Sequence, residues 1–417
     1  MIAKKYIDYI LVYVLLFVSG TWRFNLSPDK MLVLGFIFVT IVWFVFSDRK
    51  ISDRFLLYAT IFTGLLVALS LYTAGSLSLT SIISSTMKLL LAYLVIRTVG
   101  DRFVDVFLAV LVFIAAFSLF GYLTDIYGLF DGLIRKLPRV GYIGYEGFFY
   151  LYRFPWHIER NNSIFYEPGA YQAFLNAGLF ILLFAKLQIS RRKRWIYAAV
   201  LMMALITTFS TTGFLIFALM FSMFIVKSNM LSFQAKVKVV AFLAIAVSTL
   251  ATQFYSTVVV KVEEYLTASE YDTGNSAKTR SSHAKTDWKL FKEHVFGLGH
   301  RDYQKEFLLE GRIDPIEGKD ASNASSNGVT KALAVYGLPY SLFMFGSYFW
   351  ALKRLVGDVL LGATAFVMFM MFLAGESYYL VSPICFAIIA AAFVFQSERS
   401  CVASVGDTVK HTSAHSI

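Results

Sequence analysis

The stretch FLLYATIFTGLLVALSLYT, residues 55–73, runs for nineteen residues without one acidic or basic side chain. A helix needs about 20 mostly apolar residues to cross the hydrocarbon core of a bilayer, and a helix satisfies its backbone polar groups from within the segment. The same reading recurs on either side, at approximately 6–22, 31–47, 80–97, 103–124, 168–186, 195–210, 212–227, 239–256, 328–351, 359–375 and 379–396. Composition agrees, with 58% hydrophobic, 17% aromatic and 16% charged residues, against about 25% charged in soluble domains. The sequence therefore predicts an all-α, polytopic integral membrane protein of about twelve spans: one transmembrane domain over residues 1–396 and a disordered cytoplasmic tail over 397–417. The pair 195–210 and 212–227 also reads as one hairpin around Ser210-Thr211-Thr212-Gly213, and the Ser/Thr-rich 80–97 carries Lys88 in mid-span.

Loop charges give an orientation, because short cytoplasmic loops are enriched in Lys and Arg. With the amino terminus inside, the inner segments hold Lys4-Lys5, Arg49-Lys50-Arg54, Arg97-Arg102, Arg191-Arg192-Lys193-Arg194, Lys227-Lys236-Lys238 and Lys353-Arg354, and the alternation holds at every turn. The formal charge of +11 divides the same way: residues 257–327 hold ten Lys/Arg and twelve Asp/Glu, so the basic excess lies elsewhere. Basicity spread by topology is no footprint for nucleic acid. The first apolar run leads into a second without a small-residue cleavage site, the pattern of an uncleaved signal anchor. Cys385 falls in the last span and Cys401 in the tail, so neither reaches an external loop. No Cys/His spacing suits a metal, and no phosphate-cradling glycine motif is complete. Neither a metal nor another cofactor is expected.

Two longer segments fall outside, 125–167 and 257–327. The first mixes Arg135, Arg139, Arg153 and Arg160 with Tyr142, Tyr145, Phe148, Tyr152, Trp156 and His157. Such a mixture suits an aromatic belt at headgroup depth, and equally suits sugar stacking with phosphate pairing. Its end, Arg160-Asn161-Asn162-Ser163-Ile164-Phe165-Tyr166-Glu167-Pro168-Gly169, is more specific. Pro168 opens a helix, with Glu167 at the cap position. A helix start favours an anion, and an adjacent Arg can grip a phosphate with two parallel bonds. A plainer reading has Glu167 capping the helix and Arg160 pairing with it or with a lipid headgroup. In the second segment, residues 284–296 place Ala284, Trp288, Phe291 and Val295 on one helical face, the pattern of a surface-lying amphipathic helix. Arg280 precedes it and Gly297-Leu298-Gly299 ends it in a tight turn.

In the order of these motifs, roughly residues 155–345 resemble the O-antigen polymerase and O-antigen ligase superfamily of bacterial envelope polysaccharide assembly. The Arg160 to Pro168 stretch is similar to that family's Arg-x-x-Gly/Ser-x-Phe-x-Glu/Asn-Pro entry into a span. Arg280, Trp288 and Gly297-Leu298-Gly299 resemble its Arg, Trp and Gly-x-Gly in the large periplasmic loop, and Tyr336-Gly337-Leu338 resembles the start of the following span. Many relatives carry His-Asn before that span, where this chain has Ser325-Ser326-Asn327-Gly328. The missing His and the Glu-Pro-Gly form at 167–169 favour polymerase over ligase.

The resemblance implies a fold similar to the GT-C membrane glycosyltransferases, active at the periplasmic face of the bacterial inner membrane. The donor would be a glycan on undecaprenyl pyrophosphate, the acceptor a lipid-linked repeat unit, and the partners the bilayer, a chain-length determinant and a flippase. Departing pyrophosphate needs fixed cations, for which Arg160 and Arg280 are the first candidates, then Arg153 and Arg139. The attacking hydroxyl needs a base, Glu167 first and His300 second, His300 being equally readable as a solvated loop histidine. Tyr166, Trp156, Trp288 and Asn327 are candidates for contact with the glycan. An O-antigen ligase would use the same donor with lipid A-core as acceptor. A flippase or other transporter would show charges deep within several spans and two related halves, whereas here Lys88 is the clear mid-span charge and Lys331 and Glu376 lie near span ends.

Overall fold

The computed structural model describes residues 2–140, 144–147, 149–154, 159–185, 187, 189–227, 234, 276–310, 325–377 and 379–395. Its helices are α1 (Ile2–Phe17), the short α2 (Trp22–Leu26), α3 (Pro28–Phe46), α4 (Asp53–Tyr72), α5 (Leu79–Val99), α6 (Phe103–Ile126), the short α7 (Asp131–Ile134), α8 (Pro168–Phe184), α9 (Arg191–Thr207), α10 (Thr211–Lys227), α11 (Ser276–Glu293), α12 (Gly299–Glu310), α13 (Gly328–Val356), α14 (Val359–Leu373) and α15 (Pro383–Phe395). Local chemistry sets several starts. Ser78, Ser190 and Asp358 accept a hydrogen bond from the backbone N–H three residues on, capping α5, α9 and α14. Pro28 and Pro168 open α3 and α8, where a missing N–H costs nothing. The segment 239–256 and the tail from 397 lie outside the described residues.

Four helical stretches, 28–46, 53–72, 79–126 and 328–356, are long and apolar enough to cross a membrane, the third being α5 and α6 joined by a 3-10 turn at Gly100–Arg102. The apolar helices α8, α10, α14 and α15 are shorter. The outer surface is greasy along whole helices: α3 buries only Leu32, Val39 and Val42, while Leu34, Ile41 and Val45 are 62%, 59% and 60% exposed. An apolar surface this continuous suits lipid rather than water. Residues 195–227 are two helices, α9 and α10, meeting at 208–210.

Contacts sort the helix ends into two sets. At one end Trp22 N–H donates to Ile164 C=O (3.0 Å), Asn161 N–H to Thr207 C=O (2.9 Å) and Asp302 N–H to the Ser76 hydroxyl (2.9 Å). At the other, Arg97 pairs with Asp48 (2.6 Å), Arg102 with Asp8 (2.6 Å) and Lys227 with Asp358 (2.5 Å). The first set gathers the polar segments 125–167 and 276–327; the second gathers the Lys/Arg-rich turns.

Two expectations need correction. The 125–167 segment is not wholly helical or irregular: β1 (Arg139–Val140), β2 (Gly144–Gly147) and β3 (Tyr150–Tyr152) form a three-stranded antiparallel sheet, with Arg139 opposite Tyr145 and Tyr145 opposite Tyr152. Strands of two to four residues are too short to show an alternating pattern. The helix expected near 284–296 runs instead from Ser276 to Glu293, and the side it turns to the protein is largely polar. His283, Thr286, Asp287, Leu290 and Phe291 are buried, while Trp288 and Val295 are exposed. Asp287 can be buried because the Tyr303 and Thr330 hydroxyls each donate to its carboxylate at 2.7 Å. Burial still pushes its pKa up to about 6.

Candidate functional site

Arg160 is held by the backbone around it. Asn161, fully buried, fixes its amide through Ser118 (3.2 Å) and Thr207 (3.0 Å), and its own N–H donates to Thr207 C=O at 2.9 Å. Arg160 Nε donates to Thr208 C=O at 2.9 Å. One edge of the guanidinium is thereby spent on positioning. Among the described residues the terminal nitrogens close no ion pair.

Glu167 occupies the cap position of α8 in extended conformation, but its side chain makes no capping bond. Glu167 thus holds the cap position by its backbone alone. Its carboxylate faces a second one, Glu376, which the sequence left as a charge near a span end. Glu376 is 3% exposed and its Oε1 has no hydrogen-bond partner among the described residues. It fits because position 169 is glycine: a Cβ there would overlap Glu376 Oε1.

Arg280 reaches the same place from α11, its guanidinium carbon 3.9 Å from where a Cβ on Gly375 would stand. What aims α11 is a backbone joint. Gly337, at φ 75 and ψ 174, kinks α13, and Pro339 follows. In an unbroken helix Leu338 N–H would donate to Ala334 C=O. Here Leu338 N–H donates to Val295 C=O (2.8 Å) and Ala334 C=O accepts from Leu298 N–H (3.0 Å). The turn after α11 thus takes up both groups the kink releases. Gly297, at φ 91, comes so close that a Cβ would stand 2.6 Å from Gly337 N. Gly297-Leu298-Gly299 and Tyr336-Gly337-Leu338, read separately in the sequence, are two halves of one joint.

Arg160, Arg280, Glu167 and Glu376 form one electrostatic unit. Burial and then the neighbouring Arg280 charge lower the pKa of Arg160, with Glu167 and Glu376 acting against them. Burial, then the Glu167 charge, raise the pKa of Glu376 well above the carboxylate range, while both arginines pull it down. Two carboxylates in contact cannot both ionise cheaply, and the two arginines beside them offset part of that cost. The unit offers two guanidinium groups for one multivalent anion and, beside them, a pair of carboxyl groups.

The remaining candidates lie elsewhere. Arg153 pairs with Asp131, and its N–H donates to Asp125 at 2.8 Å. Arg139 is exposed on β1. Neither is among the charges acting on Arg160 or Glu376. Tyr166 packs on Phe154, centroids 6.3 Å apart. Asn327 caps α13, its side chain accepting from Val329 N–H (3.1 Å) and Thr330 N–H (3.2 Å). Trp288 stands exposed against Phe291. His300 is no solvated histidine: Nε2 lies 3.1 Å from the Tyr336 hydroxyl, and burial, with help from Lys331 and Lys88, lowers its pKa to about 4. Trp156 and His157 lie outside the described residues. Among the described residues no cluster of His, Cys, Asp or Glu could hold a metal ion. The chain matches no family model, and no curated protein matches it significantly.

Proposed function

We propose that this chain is a polytopic membrane glycosyltransferase of about twelve spans. It extends a polysaccharide by moving a glycan from undecaprenyl pyrophosphate to a lipid-linked repeat unit at the periplasmic face of a bacterial inner membrane. One observation carries the reading: Arg160 and Arg280, far apart in sequence, act on one another and on the same buried carboxyl group, Glu376, yet close no ion pair among the described residues. The order of motifs supports it.

In the reaction, a hydroxyl of the acceptor sugar attacks C1 of the donor glycan. The bond from C1 to the phosphate oxygen breaks, and the pyrophosphate leaves with the electron pair, its charge held by Arg160 and Arg280. The hydroxyl proton passes to Glu167.

The test is the polymer ladder made from purified lipid-linked repeat units in detergent, at matched levels of each variant. Arg160→Lys and Arg280→Lys keep the charge but lose the two-pronged grip, so each should slow chain growth by roughly a hundredfold, the usual cost of one transition-state donor. A normal ladder from Arg160→Ala or Arg280→Ala would overturn the shared-anion reading. Detergent also removes the two compartments a transporter needs, so polymer formed there speaks against transport.

A further inference from the structure

The turn Glu376-Ser377 has two faces. Glu376 turns toward Gly169 and the arginines, and Gly328 packs on the other side, where a Cβ would stand 3.0 Å from both Glu376 C=O and Ser377 Cα. On that side lies a cavity of about 220 Å³, lined among others by Lys88, Lys331, His300, Ser81, Ser84 and Ser85. It exceeds the ~150 Å³ void known to hold a benzene ring, and unlike that dry void it carries lysine, histidine and serine side chains in its lining.

Its charge is unbalanced. Lys88 and Lys331 close no ion pair among the described residues; the acidic group that bears on Lys88 is Asp29, and the one that bears on Lys331 is Asp287. Asp287 is already engaged by Tyr303 and Thr330. Lys88 also sits nine residues into α5, about 14 Å along its axis. A lysine at that depth in an apolar helix costs several kcal/mol unless something answers it.

We infer that the cavity between Lys88, Lys331 and His300 binds an oxyanion of the second, acceptor substrate, separate from the anion gripped by Arg160 and Arg280. The assignment to the acceptor rests on the glycosyl-transfer reading; the anion site does not. The two lysines supply charge, and the serine hydroxyls adapt as donors. The oxyanion is either the diphosphate of a lipid-linked unit or the carboxylate of an acidic sugar.

Purified protein in detergent at low salt is titrated with inorganic pyrophosphate and, separately, with glucuronate, and binding is followed by calorimetry. Each charged bond lost should weaken binding roughly tenfold or more. The Lys88→Gln, Lys331→Gln double variant should lose one class of site for at least one probe, while the Arg160→Gln, Arg280→Gln double variant keeps it. Loss for pyrophosphate points to the diphosphate, and loss for glucuronate alone to a sugar acid. Lys88→Met with Lys331→Met removes the charge while favouring the membrane-embedded fold, so a folding defect in the Gln pair does not decide the outcome. Wild-type stoichiometry and affinity for both probes in the Met pair would overturn the site. If the arginine variants make a normal ladder while lysine-dependent binding persists, the glycosyl-transfer mechanism falls and the anion site stands.

Discussion

Glu167 and Glu376 are the same residue type in two different settings. Glu376 is sealed in, one oxygen unpartnered, and burial and the Glu167 charge raise its pKa; Glu167 is half-exposed at the mouth of α8 and its side chain makes no capping bond. Under the proposed glycosyl transfer, these settings suit Glu167 to accept the proton and Glu376 to stand beside it as a neutral partner. Glu376→Gln copies the protonated form and should keep turnover within about tenfold, while Glu167→Gln should lose it by about 100-fold or more yet still bind donor. The polymer ladder, read beside donor binding, checks both. The opposite asymmetry would exchange their roles. The arginines and Glu167 were legible in the sequence because each stands in a recognisable local motif. Glu376 was not, since nothing near it in sequence shows that the turn after α14 will press against Gly169.

At the scale of elements, the joint between the turn after α11 and the kink of α13 sets where Arg280 points. It works backbone to backbone, which only glycine permits. Gly337 sits at φ 75, ψ 174, a region costing other residues about 1–3 kcal/mol, and a Cβ there would overlap the Phe296 backbone. Gly337→Ala and Gly297→Ala should each lower the thermal unfolding midpoint and slow turnover together. Gly64→Ala is the control: no atom lies within 4 Å of the new Cβ, and alanine favours the helix. Equal midpoints for Gly337→Ala and Gly64→Ala would show that the joint carries no weight. The sequence displayed both glycine motifs but not their meeting, because periodicity reports faces and not partners. It did not show that the opposite, largely polar side of α11 packs on the protein, where Tyr303 and Thr330 satisfy Asp287.

For the whole molecule, apolar length and loop charge made the helical class legible, and the structure adds which ends meet. Every contact named at the site joins segments from one end of the helices; the Arg/Asp pairs Arg97–Asp48 and Arg102–Asp8 tie the other. If the Lys/Arg-rich end is cytoplasmic, reporter fusions should read outside after Ser27 and Asp272 and inside after Ile189 and Ser404. An external signal at Ile189 or an internal one at Asp272 would invert the assignment, and with it the side on which polymer is made.

The dispersal of the four site residues along the chain also imposes a schedule. Arg160 and Glu167 leave the ribosome first, Arg280 follows, and Glu376 comes 216 residues after Arg160. At about 5–20 residues per second, roughly 10–40 s separate the first side chain from the last. Until α13 is threaded there is no kink for the turn after α11 to join, and until α14 is complete no carboxyl group meets Gly169. The cluster of four side chains is therefore incomplete for most of synthesis and closes only near its end.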